Sequence, residues 1–219
     1  MPGRQLISLV DSVAISVAVS APLALAGLGF LRGGQVIPQL TRDMAAVAGV
    51  HPLTSVVSSL GCFIWFGAGV VPLFCWQFTR TRISAGDAQL LLTGAFISLF
   101  YAFDDFFMFH ESLATAYFGL SEIAVLAVLG MVTVAYAVAS LWVRPWRKQL
   151  WLVMALAFLG ASVVIDAFTQ LASVSADWAY LAEDGAKWVG IVLWGRHHHL
   201  LALWLGRTAV ERVAGIEPA

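Results

Sequence analysis

The chain has 219 residues and a formal net charge of −1; 60% of its residues are hydrophobic and only 11% are charged. Soluble domains carry about 25% charged residues, so this chain has too little polar side chain to cover the surface of a water-soluble fold of its size. Its few basic residues are scattered, which excludes nucleic acid as a partner.

Several apolar stretches exceed the roughly 18 residues that mark a transmembrane helix. They predict an all-α polytopic membrane protein: a six-helix transmembrane bundle forming one integral membrane domain over residues 1–219. The first span, about 6–30, follows Arg4. It is longer than the roughly 7–15 apolar residues of a secretory signal, so a retained helix is expected rather than a cleaved one. The connection from Arg32 to Pro52 contains Leu40–Val47, which suits a short surface helix.

The second span, about 53–77, carries Pro72, which should kink it near its end. It also holds Cys62 and Cys75, which on one helix stand roughly 20 Å apart, too far for a disulfide. The third, about 88–110, closes on Asp104-Asp105 and His110, with Glu111 next. The fourth, about 118–142, has Glu122 near its start, and the fifth, about 150–173, carries Asp166. The sixth, about 180–205, begins with Glu183, Asp184 and Lys187 and later reads Arg196-His197-His198-His199. Consecutive histidines point about 100° apart on a helix and cannot converge on one metal. That stretch is expected at the interface, with Arg196 snorkelling toward water.

Loop charge fixes the expected orientation. Arg4, Arg80, Arg82, Arg144, Arg147, Lys148, Arg207 and Arg212 fall on one side, against Arg32 and Arg42 on the other. Both termini are therefore expected in the cytoplasm, with the protein multi-pass in the inner (plasma) membrane. Trp76, Trp142, Trp146, Trp151 and Trp204 fall near the cytoplasmic helix ends, as an aromatic belt does.

This topology carries seven carboxylates, Asp104, Asp105, Glu111, Glu122, Asp166, Glu183 and Asp184, toward the outer side with one lysine, Lys187. Charge inside a membrane is costly, so such a cluster marks a functional site. Asp104, Asp105 and Asp166 form the deep layer, with Glu122 and Lys187 slightly above, so that Asp104 or Asp105 is expected within about 6 Å of Asp166 or Lys187. His110, Glu111, Glu183 and Asp184 form the shallow layer, which His51 approaches from the second span. Helical spacing sets Asp104 and Glu111 on one face, flanked by Asp105 and His110. Glu183 and Lys187, four apart, suit an intrahelical ion pair.

Seven carboxylates and one ammonium cannot all ionise together in a low dielectric, so protons or a cation must be held among them. An oxygen-rich set suits a hard divalent cation, and adding imidazole admits zinc or iron. The expected ligands are Asp105, His110, Glu111, Glu122, Glu183 and Asp184. Asp104, Asp105, Asp166 and Lys187 are the expected catalytic groups, with Lys187 also fixing Glu183 or Asp184. The His-Glu-x-x-His zinc motif and the Glu-x-x-His pair of di-iron bundles are absent. So is the second aspartate motif that membrane prenyltransferases carry beside a pair such as Asp104-Asp105.

Three functions fit these residues. One is a metal-dependent enzyme acting on a lipid or amphipathic small molecule. Another is a proton- or cation-coupled transporter, which at six spans calls for a homodimer. The third is an accessory membrane subunit.

Overall fold

The computed structural model describes residues 42–144, 149–171 and 177–215, with isolated positions before residue 42. The expected first span therefore lies largely outside the described residues. The chain divides into two units, Met1–Thr54 and Ser55–Ala219. In the first, α1 (Met44–Ala48) buries no residue and closes on Gly49, whose φ of 67° is left-handed. This is the expected short helix of the connection, begun four residues later than Leu40. His51 also belongs to this unit, where its Nδ1 accepts from the backbone of Leu53 at 3.2 Å.

The elements of the second unit among its described residues are all helical: α2 (Val56–Thr79), α3 (Ala85–Phe107), a π-helical turn (Phe109–Leu113), α4 (Ala114–Phe118), α5 (Glu122–Val143), α6 (Leu150–Leu171) and α7 (Asp177–Ala214). Four of these are long and apolar enough to cross a membrane: α2, α3, α5 and Leu150–Thr169 of α6. The exterior agrees. Phe63, Phe74, Phe96, Ile123, Val164 and Phe168 all stand exposed, an apolar surface that water would not tolerate and lipid does. The expected sixth span lies inside α7, whose 38 residues run roughly 57 Å. His197, His198 and His199, with Lys187 and Arg196, make this helix less apolar than the other four.

Local chemistry sets the helix ends. Ser84 caps α3 by accepting from the Asp87 backbone at 3.1 Å while its hydroxyl donates to the Asp87 carboxylate at 2.8 Å. Ser121 caps α5 by accepting from Ala124 at 3.3 Å. Both satisfy backbone donors that a helix start leaves orphaned.

Packing places α7 at the centre, against α6 on one side and α2 on the other, while α2 also packs along α3. Small residues permit these approaches, as in membrane bundles generally. A Cβ on Gly69 would come within 2.5 Å of Leu99 on α3, and one on Gly190 within 2.7 Å of Leu159 on α6. At one end of the bundle Arg144, which caps α5, donates to Asp87 of α3 at 2.8 Å and lies 4.1 Å over the Trp204 ring of α7.

Within the histidine run, Arg196 and His199 are exposed, whereas His197 and His198 turn into the bundle instead of standing at its surface. His197 and His198 are 4% and 0% exposed; the His198 ring lies against Tyr136 of α5 and Trp194 of α7, and His197 Nε2 stands 3.4 Å from the Tyr136 hydroxyl. The space comes from Gly94 of α3: a Cβ there would stand 2.4 Å from His198 Nε2 and 2.9 Å from Tyr136 Oη. Gly94→Ala should therefore destabilise the bundle by about 2 kcal/mol through overpacking. Gly130→Ala, where a Cβ meets nothing within 4 Å, should be neutral or stabilising. Unfolding midpoints of the two variants in detergent give the comparison.

Candidate functional site

The end of α3 decides the site's shape. Met108 adopts φ 50°, ψ 48°, a left-handed conformation uncommon for a residue with a Cβ. The helix stops at Phe107 and the chain turns back through the π-helical turn. His110 then folds onto Asp104: its backbone N–H donates to Oδ1 at 2.9 Å and its Nδ1 lies 2.7 Å from Oδ2. The expected continuous helix, with Glu111 sharing the face of Asp104 and His110 to one side, is thus corrected by the break at Met108. Glu111 is instead half-exposed, with Oε1 3.6 Å from His110 Nε2.

Asp104 and Asp105 are 3% and 8% exposed in their side chains, and each has protein partners. Asp105 accepts from Trp65 Nε1 of α2 at 3.0 Å and from Lys187 Nζ of α7 at 2.8 Å. Lys187 therefore pairs across the bundle with Asp105 rather than with Glu183 one turn before it. The cross-bundle partner is more deeply buried and has more to gain from a counter-charge. Trp65, absent from the sequence reading, is the missed member of this group. It stacks on Tyr101 at 4.7 Å, and Tyr101 in turn hydrogen-bonds Thr133 of α5 at 2.7 Å.

Asp104, Asp105, Glu111, Glu122, Asp166 and Glu183 line one cavity of about 610 Å³, together with His110 and Lys187. Four helices and the π-helical turn contribute these side chains, so long-range topology does bring them together. Asp184 is not among the lining residues. Gly130 and Gly160, with Leu126, Leu129 and Val163, supply an apolar wall. Among the described residues, no group of three or more His, Cys, Asp or Glu side chains stands close enough to hold a metal ion. Of the expected ligands, Asp105 has both oxygens engaged by Lys187 and Trp65.

His110 lies beyond the end of α3. The hydrogen bond to Asp104 raises its affinity for a proton above the ordinary imidazole range, against the opposing effect of its burial. With Nδ1 directed at a carboxylate, the ring presents Nε2 as its remaining nitrogen, on the side of Glu111. That is the arrangement of an imidazole held by a carboxylate for base catalysis or for ligating a cation.

The family model described as a domain of unknown function (DUF8692) matches residues 13–199, and the chain belongs to that family. The matched region holds every acid of the cavity together with Lys187, His197 and His198. No curated protein and no solved structure matches the chain.

The raised proton affinity of His110 sets a sign for stability. The His110–Asp104 pair contributes fully below the unfolded imidazole value of about 6.5 and is lost as pH rises through the higher folded value. Between pH 6 and pH 9 the melting temperature of wild type should fall more than that of His110→Ala, when both are followed in one buffer series.

The Asp105–Lys187 pair predicts non-additivity. Lys187→Met should cost about 2 kcal/mol, below the roughly 3–5 of a fully buried pair, because the Lys187 side chain is 39% exposed. Adding Asp105→Asn removes the stranded charge and keeps an acceptor for Trp65, so the double variant should regain most of that loss in equilibrium unfolding.

Proposed function

We propose that this protein binds a cation in the acidic cavity, in competition with protons, and does so as a multi-pass protein of the plasma membrane. The observation that carries the reading is charge imbalance in a confined volume. Six carboxylates line the cavity against Lys187 and His110, an excess of four negative charges even with the imidazole protonated. The side chains of Asp104 and Asp105 are buried while Glu111 and Glu122 reach the exposed rim, and a surplus of carboxylates around one cavity favours a bound cation.

A hard divalent ion is the simplest occupant. His110 Nε2 and Glu111 Oε1, 3.6 Å apart, offer two donors. A third has to swing in from Glu122 or Glu183, which line the same cavity. Asp104 then orients the imidazole, and Lys187 holds Asp105 out of the ligand set. The bound cation would activate water against an amphipathic small molecule, with a spare carboxylate as base. The Asp104–His110 pair favours this enzyme reading. A proton- or cation-coupled transporter is the second reading, favoured by the buried polar residues at both ends of the bundle, and an accessory subunit is the bland alternative.

The loop charges support six spans with both termini in the cytoplasm and the cavity opening in the outer half of the membrane. Cysteines at the exposed Thr115 and Thr81 test this orientation. An impermeant thiol reagent applied to whole cells should label the first and spare the second, and the reverse pattern contradicts the sidedness.

Cation binding is tested by thermal stabilisation of the detergent-purified protein with Mg²⁺, Mn²⁺ and Zn²⁺, each at two pH values. At least one ion should raise the melting temperature, and the gain should shrink as pH falls. Gly160→Leu makes the cavity itself the variable. A Cβ there meets nothing within 4 Å, and leucine in place of a helical glycine favours the fold by up to about 1 kcal/mol. The variant should therefore melt at or above wild type while losing the response to the ion. If no ion stabilises wild type at either pH, the cation reading fails.

A further inference from the structure

A second set of polar groups lies at the other end of the bundle, beside the Arg144–Asp87 pair. Here a cavity of about 370 Å³ is lined by Arg144, Gln149, Trp151, His197 and Trp204. Behind it, the Tyr136 hydroxyl lies 3.4 Å from His197 Nε2 and 3.2 Å from His198 Nε2. His198 Nδ1 is 3.1 Å from the carbonyl oxygen of Trp194.

These distances impose a direction. A carbonyl oxygen only accepts, so the neutral His198 ring carries its proton on Nδ1 and leaves Nε2 as an acceptor. Tyr136 must then donate its single proton to His198 Nε2. Having no second proton, its oxygen accepts from His197, which carries its proton on Nε2. The chain reads His197 Nε2–H to Tyr136 O–H to His198 Nε2, one donor per link, starting from a residue that lines the cavity.

We propose that His197, Tyr136 and His198 form a proton relay that carries a proton from the cavity beside Arg144 to His198 inside the bundle. His197 takes up a proton on Nδ1 and becomes imidazolium. Its Nε2 proton passes to the Tyr136 oxygen as the Tyr136 hydroxyl proton passes to His198 Nε2. His197 is left neutral with its proton on Nδ1, Tyr136 is left neutral, and His198 carries the positive charge. One proton enters, one charge moves inward, and no co-reactant is needed.

The surroundings suit transfer rather than trapping. From α5, Arg144 bears a positive charge toward the cavity, and Asp87 of α3 offsets it at 2.8 Å. From α2, the Cys75 thiol is already committed to the carbonyl of Ala202. Arg196 and His199 are the neighbouring titratable groups on α7 itself. Gly94 keeps the Tyr136–His198 contact open, since any Cβ there would collide with both partners. The relay is independent of cation binding in the acidic cavity, so either can fail alone.

Nitrogen-15 NMR of histidine-labelled full-length protein in lipid bilayers provides the test. At neutral pH wild type should show His197 protonated on Nε2 and His198 on Nδ1. On acidification the Nε2 resonances of both should move together, because one added proton is shared. Tyr136→Phe keeps the ring and removes the bridge. In that variant His197 should still respond, while the His198 response drops at least tenfold. The opposite His198 tautomer in wild type, read without any variant, overturns the relay. So does a His198 response unchanged by Tyr136→Phe, or a His198 that stays neutral down to the pH of unfolding.

Discussion

A carboxylate inside an apolar bundle has to be compensated, and the way Asp105 is compensated organises much of the molecule. Its two oxygens draw Trp65 from α2 and Lys187 from α7 onto α3. Trp65 is then pinned where it stacks on Tyr101 and meets the edge of Trp194 at 5.6 Å. Trp194 donates to Ser98 of α3 at 2.8 Å, so a second polar link joins α3 to α7 below the first. These links fix register between helices whose apolar faces alone would pack in several ways, since lipid offers no hydrophobic drive for one pairing over another.

With Asp105 held by Lys187 and Asp104 by His110, the remaining acids define what the cavity does. Glu111, Glu122, Asp166 and Glu183 reach it from the π-helical turn, α5, α6 and α7. Among the described residues, the cationic groups that line the cavity are Lys187 and His110, already engaged by Asp105 and Asp104. The acidic cavity thus carries a surplus of carboxylates, whereas at the opposite end Arg144 and Asp87 offset one another beside the smaller cavity. The proposed cation would offset that surplus, and the proposed relay would run through side chains that are neutral at rest.

Much of this was legible in the residues. Apolar stretches located α2, α3, α5 and α6 to within a few residues, because hydropathy measures the property a bilayer selects. Alternating direction of the spans was enough to gather acids from 104 to 183 at one end. The approach of Lys187 to Asp105, 82 positions earlier, follows from the expected layering of the acids, although the sequence also offers Lys187 its neighbour Glu183. Two features escaped. The break at Met108 follows from a backbone conformation that methionine does not advertise, so helical periodicity ran too far and misplaced His110 and Glu111. Burial of His198 depends on Gly94 across the bundle, and no pattern local to the histidine run reveals it.

The central claim is that cation and protons compete for one cavity, and proton release tests it most directly. Adding the stabilising dication to weakly buffered, detergent-solubilised protein should liberate protons with the same saturation curve as binding. Release should be abolished in Gly160→Leu, which fills the cavity and leaves its acids in place. Binding without proton release, or release that persists undiminished in Gly160→Leu, contradicts the claim.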